Sequence, residues 1–133
     1  MSAALAHTWP FDLESDWALA DELRGDPELR EWAEGVIATS PAGDPAWEAY
    51  YMAHHCRSSR EWAEGVIATS PAGDPAWAAY RMARDCGSSR EWAEGVIAAA
   101  KVGNPTCAAR FMVRNCGSSK AWEAQVVAQQ RSA

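Results

Sequence analysis

An all-α array of about eight short antiparallel helices is predicted by three features of this sequence: a 30-residue repeat, tryptophans spaced by multiples of 15, and helix-capping residues at matching intervals. Residues 30–59 recur as residues 60–89 with five changes, and again, with more changes, as residues 90–119. Trp17, Trp32, Trp47, Trp62, Trp77, Trp92 and Trp122 follow the finer spacing, and Cys107 fills the one skipped place. Self-similarity at a fixed period of this size marks a stacked array. Each half-period holds one short helix and a turn, so a full period reads as a helical hairpin.

Taken in order, residues 1–29 read as an N-terminal cap, residues 30–59, 60–89 and 90–119 as three hairpins, and residues 120–133 as a capping helix, all in one domain. The first helices of the second and third hairpins open on a capping-box spacing, Ser58-Ser59-Arg60-Glu61 and Ser88-Ser89-Arg90-Glu91, in which Ser and Glu can satisfy each other's free N–H groups. In the first helix of the first hairpin the expected core stripe is Trp32, Ala33, Val36 and Ile37, with Glu34 pointing away. Gly35, Gly65 and Gly95 stand mid-helix, where glycine costs about 0.5–1 kcal/mol relative to alanine. Close approach of the next repeat is the expected reason.

The second helix opens at Asp44-Pro45, Asp74-Pro75 and Asn104-Pro105, an N-cap followed by proline at the first helical position. Ala46, Ala49, Tyr50, Ala53 and Cys56 share its core arc, with Trp47 and Met52 at the borders. Gly87 and Gly117 follow where a left-handed stop residue is favoured. Helices this short are marginal alone, so stability must come from stacking neighbours. Gln125, Gln129 and Gln130 give the last helix a solvated face, and the acidic residues between Asp12 and Asp26 do the same at the head. A cap at each end predicts a complete array.

Such tandem helix pairs resemble the α-solenoid class, whose tetratricopeptide and HEAT members stack helical hairpins into curved rods that bind other proteins. The resemblance is architectural: Glu31-Trp32-Ala33-Glu34-Gly35-Val36 has a Trp and a Gly, but not the tetratricopeptide spacing. It implies a right-handed α-solenoid with tryptophans stacking along its length. Near-identical successive repeats are what recent duplication or an idealised array produces.

Differences between the repeats point to the candidate site. The first two repeats differ only at Glu48/Ala78, Tyr51/Arg81, His54/Arg84, His55/Asp85 and Arg57/Gly87, all in the second helix or at its end. The third repeat holds Ala108, Phe111, Arg114 and Asn115 at the outward places. Glu48, Tyr51 and His55 point opposite the core arc on a helical wheel, with His54 nearer the Trp47 border. Partner contacts are therefore expected from Glu48, Tyr51, His54, His55, Arg81, Arg84, Asp85, Phe111, Arg114 and Asn115. Aromatic and Arg side chains are the types enriched at interface centres. Drift on an unconstrained face produces the same variation and stands as the rival reading.

Function classes narrow by subtraction. Net charge is −6 in 133 residues, running from −6 over residues 1–29 to +2 over residues 90–119. That balance disfavours nucleic acid and membrane surfaces as partners. The asymmetry allows weak head-to-tail self-association beside a monomer. Residues 96–100 form the longest apolar run, too short to span a bilayer, and residues 1–10 lack a secretory charge order, so a cytoplasmic protein is expected.

His54, His55 and Cys56 diverge by about 100° per residue and cannot converge on one metal ion. Cys56, Cys86 and Cys116 would stand about 10 Å apart in stacked helices, too far for a disulfide. Met52, Met82 and Met112 read as core, and His7 lies in the N-terminal segment. No catalytic elbow, phosphate loop or dinucleotide fingerprint is present. The recurring Glu31/Glu34 pairs beside Arg30 read as solvated helix faces. The expectation is a non-catalytic module without metal or cofactor that binds a protein or peptide, the alternatives being a ligand-free scaffold or a self-assembling subunit.

Overall fold

The computed structural model describes residues 9–132; residues 1–8, including His7, lie outside the described residues. Eight α-helices and no strands make up the described chain: α1 Trp17–Gly25, α2 Pro27–Thr39, α3 Pro45–His55, α4 Arg60–Thr69, α5 Pro75–Asp85, α6 Arg90–Ala99, α7 Pro105–Cys116 and α8 Lys120–Ser132. Among the described residues no helix is long and apolar enough to cross a membrane.

Caps set the helix ends. Asp44, Asp74 and Asn104 accept the N–H groups of Trp47, Trp77 and Cys107 at 3.1 Å, each with proline at the first helical position. Asp26-Pro27 does the same for α2, which therefore starts three residues earlier in the repeat than α4 and α6. Ser59, Ser89 and Ser119 accept from Trp62, Trp92 and Trp122 at 3.0 Å. The expected capping box is thus only half made. Ser59 rather than Ser58 is the cap, and the Glu61 carboxylate turns to Arg60 at 3.4 Å.

Ser58, Ser88 and Ser118 are buried and donate to Glu34, Glu64 and Glu94 at 2.6 Å. Glu34 therefore does not point away. It ties α2 to the loop that follows α3. Arg30, Arg60 and Arg90 add a second tie, each donating to the backbone that ends the next odd-numbered helix, at Cys56, Gly87 and Gly117. Gly87 and Gly117 adopt φ of 78° and 80°, and Arg57 is held at 69° in the equivalent place, a conformation that disfavours a side chain.

Each helix packs on the next, and α1, α3, α5 and α7 also pack directly on one another; no comparable packing joins α2, α4 and α6. Alanines at 46, 49, 76, 78, 79, 108 and 109 are fully buried and let the odd helices approach closely. Met52, Met82 and Met112 are core, so Met52 is no border residue. The even helices bury Ala33 with Ile37, Ala63 with Ile67, and Ala93 with Ile97. Trp32 leaves the expected core stripe and is 50% exposed. The tryptophans do not form one continuous stack: Trp9 meets Trp32 at 5.7 Å, whereas Trp47 and Trp77 meet Tyr50 and Tyr80.

Gly35, Gly65 and Gly95 overturn the close-approach explanation, because a Cβ built on any of them meets nothing within 4 Å. The structure gives no packing reason for glycine there. Replacing all three by alanine is therefore expected to raise stability by about 0.5–1 kcal/mol per site, read as a higher urea midpoint at unchanged slope. A lower midpoint would show an approach that this packing does not contain.

Candidate interaction face

Tyr51, Arg81 and Phe111 occupy equivalent places on α3, α5 and α7, and so do His55, Asp85 and Asn115 one turn later. At the α3–α5 junction the Arg81 guanidinium lies 5.4 Å from the Trp47 ring centre and 5.1 Å from that of Tyr50. Its Nε donates to Asp85 Oδ2 at 2.9 Å and its Nη2 to Tyr50 Oη at 3.1 Å, while the Tyr50 hydroxyl donates to Asp85 Oδ2 at 2.7 Å. Burial pushes the Asp85 carboxyl up, but the Tyr50 hydroxyl and the Arg81 guanidinium outweigh it and hold its pKa below 3.8. Burial and the bond to Asp85 raise Tyr50 well above its ordinary value.

The α5–α7 junction reaches the same end with different chemistry. Phe111 meets Trp77 edge-on at 5.3 Å and Tyr80 at 5.6 Å, and Asn115 Nδ2 donates to Tyr80 Oη at 2.7 Å. Both tyrosines are almost fully buried, so their hydroxyls need a partner. The variable residues come in matched pairs four apart: Arg81 with Asp85, and Phe111 with Asn115. Sequence reasoning took these four as free for a partner and passed over Tyr50 and Tyr80, which they serve.

On α3 the pair is Tyr51 with His55, rings 4.2 Å apart, facing Trp17, Ala20, Asp21 and Arg24 of α1 across a pocket of about 310 Å³. His54 is exposed and stacks on Tyr50 at 5.5 Å. Burial, then the neighbouring His54, Arg24 and Arg81, lowers the His55 pKa below 6.5, so His55 is mostly neutral at pH 7.

Glu48 is the clearest departure from the expected face. It is 6% exposed, and its Oε1 accepts the Trp9 indole N–H at 2.9 Å and the Leu13 backbone N–H at 3.0 Å. The wheel placed it outward because the chain before α1, folded back over α3, is invisible to a wheel. His54, Arg84 and Arg114, one residue from each of α3, α5 and α7, form an exposed row, beside which His55 and Asn115 are exposed too. Arg84 lies 3.4 Å from Asp85, and Arg114 stands 5.3 Å from the Phe111 ring; among the described residues no carboxylate is within ion-pair distance of Arg114.

The four thiols are free. Burial pushes Cys56 and Cys86 up to about 11, so neither is a nucleophile near neutral pH, and Cys56 Sγ lies 3.5 Å from the Ala20 carbonyl. Among the described residues no group of three His, Cys, Asp or Glu is placed to hold a metal ion. Compared with protein-family models, curated proteins and solved structures, the chain matches none.

Proposed function

We propose that the eight helices form a right-handed α-solenoid that works as a non-catalytic, cofactor-free binding module in the cytoplasm, taking a protein or peptide on the face of α3, α5 and α7. The observation that carries this reading is the exposed row of His54, Arg84 and Arg114 on three directly packed helices. The odd helices pack on one another and no comparable packing joins the even helices, which supports an array bent toward the odd side, with that row on the inner surface. Two guanidinium groups on such a surface suit carboxylates, so an acidic peptide is the expected ligand.

A ligand-free scaffold is the second reading. It is favoured by Arg81, Asp85, Phe111 and Asn115, whose contacts bind one helix to the next. The deciding experiment is a defined peptide library screened against the native chain and an Arg84→Glu/Arg114→Glu variant of equal helicity. These two side chains are exposed, and equal helicity checks that losing the Arg84–Asp85 and Arg114–Phe111 contacts leaves the fold in place. Acidic peptides retained by the native chain, weakened by salt and lost in the variant, support the groove. Identical peptide sets for both proteins would leave the scaffold.

A further inference from the structure

The first junction between odd helices lacks a ring that the next two contain. Ala20 stands 30 residues before Tyr50 and 60 before Tyr80, and Trp17 bears the same relation to Trp47 and Trp77. At the second and third junctions the tyrosine ring lies beside its tryptophan, at 4.8 Å and 5.0 Å, with Arg81 or Phe111 against it. Its hydroxyl reaches Asp85 or Asn115.

At the first junction Trp17, Tyr51 and His55 occupy the corresponding places, but the side chain between them stops at the Cβ of Ala20. A pocket of about 310 Å³ opens there, rimmed by Asp21 and Arg24. Trp17 is 76% exposed, while Trp47 and Trp77 are half-buried. Among the described residues His55 makes ring contacts with Tyr51 and His54 but no hydrogen bond.

We propose that this pocket binds the phenol ring of a tyrosine side chain carried by a peptide or protein partner, with Trp17 and Tyr51 taking the ring and His55 taking the hydroxyl. The ring must come from another kind of molecule: the chain has three tyrosines, of which Tyr50 and Tyr80 are buried and Tyr51 lines the pocket itself. A neutral imidazole offers either a donor or an acceptor to a hydroxyl, matching the parts that Asn115 and Asp85 play at the filled junctions. Trp17, Ala20 and Tyr51 give the concavity an apolar wall and His55, Asp21 and Arg24 give it polar groups, and apolar lining with a few placed polar groups is the usual form of a small-molecule site. The inference rests on the binding reading only for the source of the ring, since the pocket's preference for a phenol can be measured without a partner.

The test is an NMR titration of the full chain with N-acetyltyrosinamide and, separately, N-acetylphenylalaninamide, following the Trp17 indole N–H and the His55 ring. Saturable shifts at both residues are expected with the tyrosine probe, and about fivefold weaker binding with the phenylalanine probe, the worth of one net hydrogen bond. Ala20→Tyr, which fills the pocket with a ring of its own, is expected to abolish the shifts, and Trp17→Ala, which removes a side chain 76% exposed, is expected to abolish the His55 shift, the one signal left to read in that variant. Arg84→Glu/Arg114→Glu is expected to keep them, so a failed groove and a failed pocket are told apart. The absence of saturable shifts in the native chain, or shifts that persist in both pocket variants, overturns the proposal, and equal affinity for the two probes overturns the part given to His55.

Discussion

Glu48→Ala is expected to destabilise the protein by about 2–4 kcal/mol, whereas Glu48→Gln is expected to be nearly neutral. Alanine stands at the equivalent positions 78 and 108, so the substitution brings no conflict with helix or packing. What it removes is the acceptor. Glu48 Oε1 takes the indole N–H of Trp9 and the backbone N–H of Leu13, and both residues are buried. Truncation orphans two donors at once and frees the segment that covers α3, while glutamine keeps an acceptor oxygen in the same place.

The pH dependence follows from the same geometry. Burial, with smaller repulsion from Asp12 and Asp44, raises the Glu48 pKa from 4.5 to about 7, even though the two N–H donors pull it down. Protonation on Oε2 leaves Oε1 able to accept both bonds. Because the folded pKa lies above the unfolded one, the folded state holds the extra proton between those values. The stabilising contribution is full below about 4.5 and is lost as pH rises through about 7. Urea midpoints of the native chain should fall from pH 5 to pH 8 more steeply than those of Glu48→Gln. An unchanged midpoint in Glu48→Ala, or equal pH slopes in the native and Gln chains, would refute the clasp.

Features that depend on a few consecutive residues were legible in the sequence. The caps at Asp44, Asp74 and Asn104, the serine starts of α4, α6 and α8 and the left-handed stops at Gly87 and Gly117 each act within one turn. The Asp44, Asp74 and Asn104 caps and the glycine stops appear where the spacing put them, while the serine caps of α4 and α6 lie one residue later than the capping-box spacing placed them. The helix number followed from the tryptophan spacing for the same reason. A wheel divides a helix into an inner and an outer face, but α3 touches α1, α2, α4 and α5, so most of its circumference is covered. The outward placement of Glu48 failed because Trp9 and Leu13 come from more than 30 residues away. Glu34 failed because its partner Ser58 arrives on a loop 24 residues on. At the candidate site His54, His55, Arg84, Arg114 and Asn115 are exposed, but His55 packs on the Tyr51 ring and Asn115 is bonded to Tyr80. A signal for the junctions was present, since 81 with 85 and 111 with 115 change together, four apart, next to an unchanging Tyr50 and Tyr80.

Exchange of one junction's chemistry for the other's is expected to reveal strong coupling. Asp85→Asn alone takes the ion-pair partner from Arg81, and Arg81→Phe alone takes from Asp85, whose side chain is 15% exposed, the closer of its two cations and leaves it only the more exposed Arg84 at 3.4 Å. Each single change should cost about 1–3 kcal/mol. Arg81→Phe/Asp85→Asn together rebuild at Trp47 and Tyr50 what Phe111 and Asn115 build at Trp77 and Tyr80, an edge-on ring with an amide on the tyrosine hydroxyl. The double variant should therefore recover most of the loss, with a coupling of about 1–2 kcal/mol in a double-mutant cycle. Its acid response should change as well. The depressed Asp85 pKa gives stability that is present above 3.8 and lost as pH falls through the lower folded value, and asparagine has no such step. Strictly additive losses would mean that these positions vary independently, as drift requires. A recovered double variant would mean that the variation is keyed, each pair fitted to the tyrosine of the helix before it.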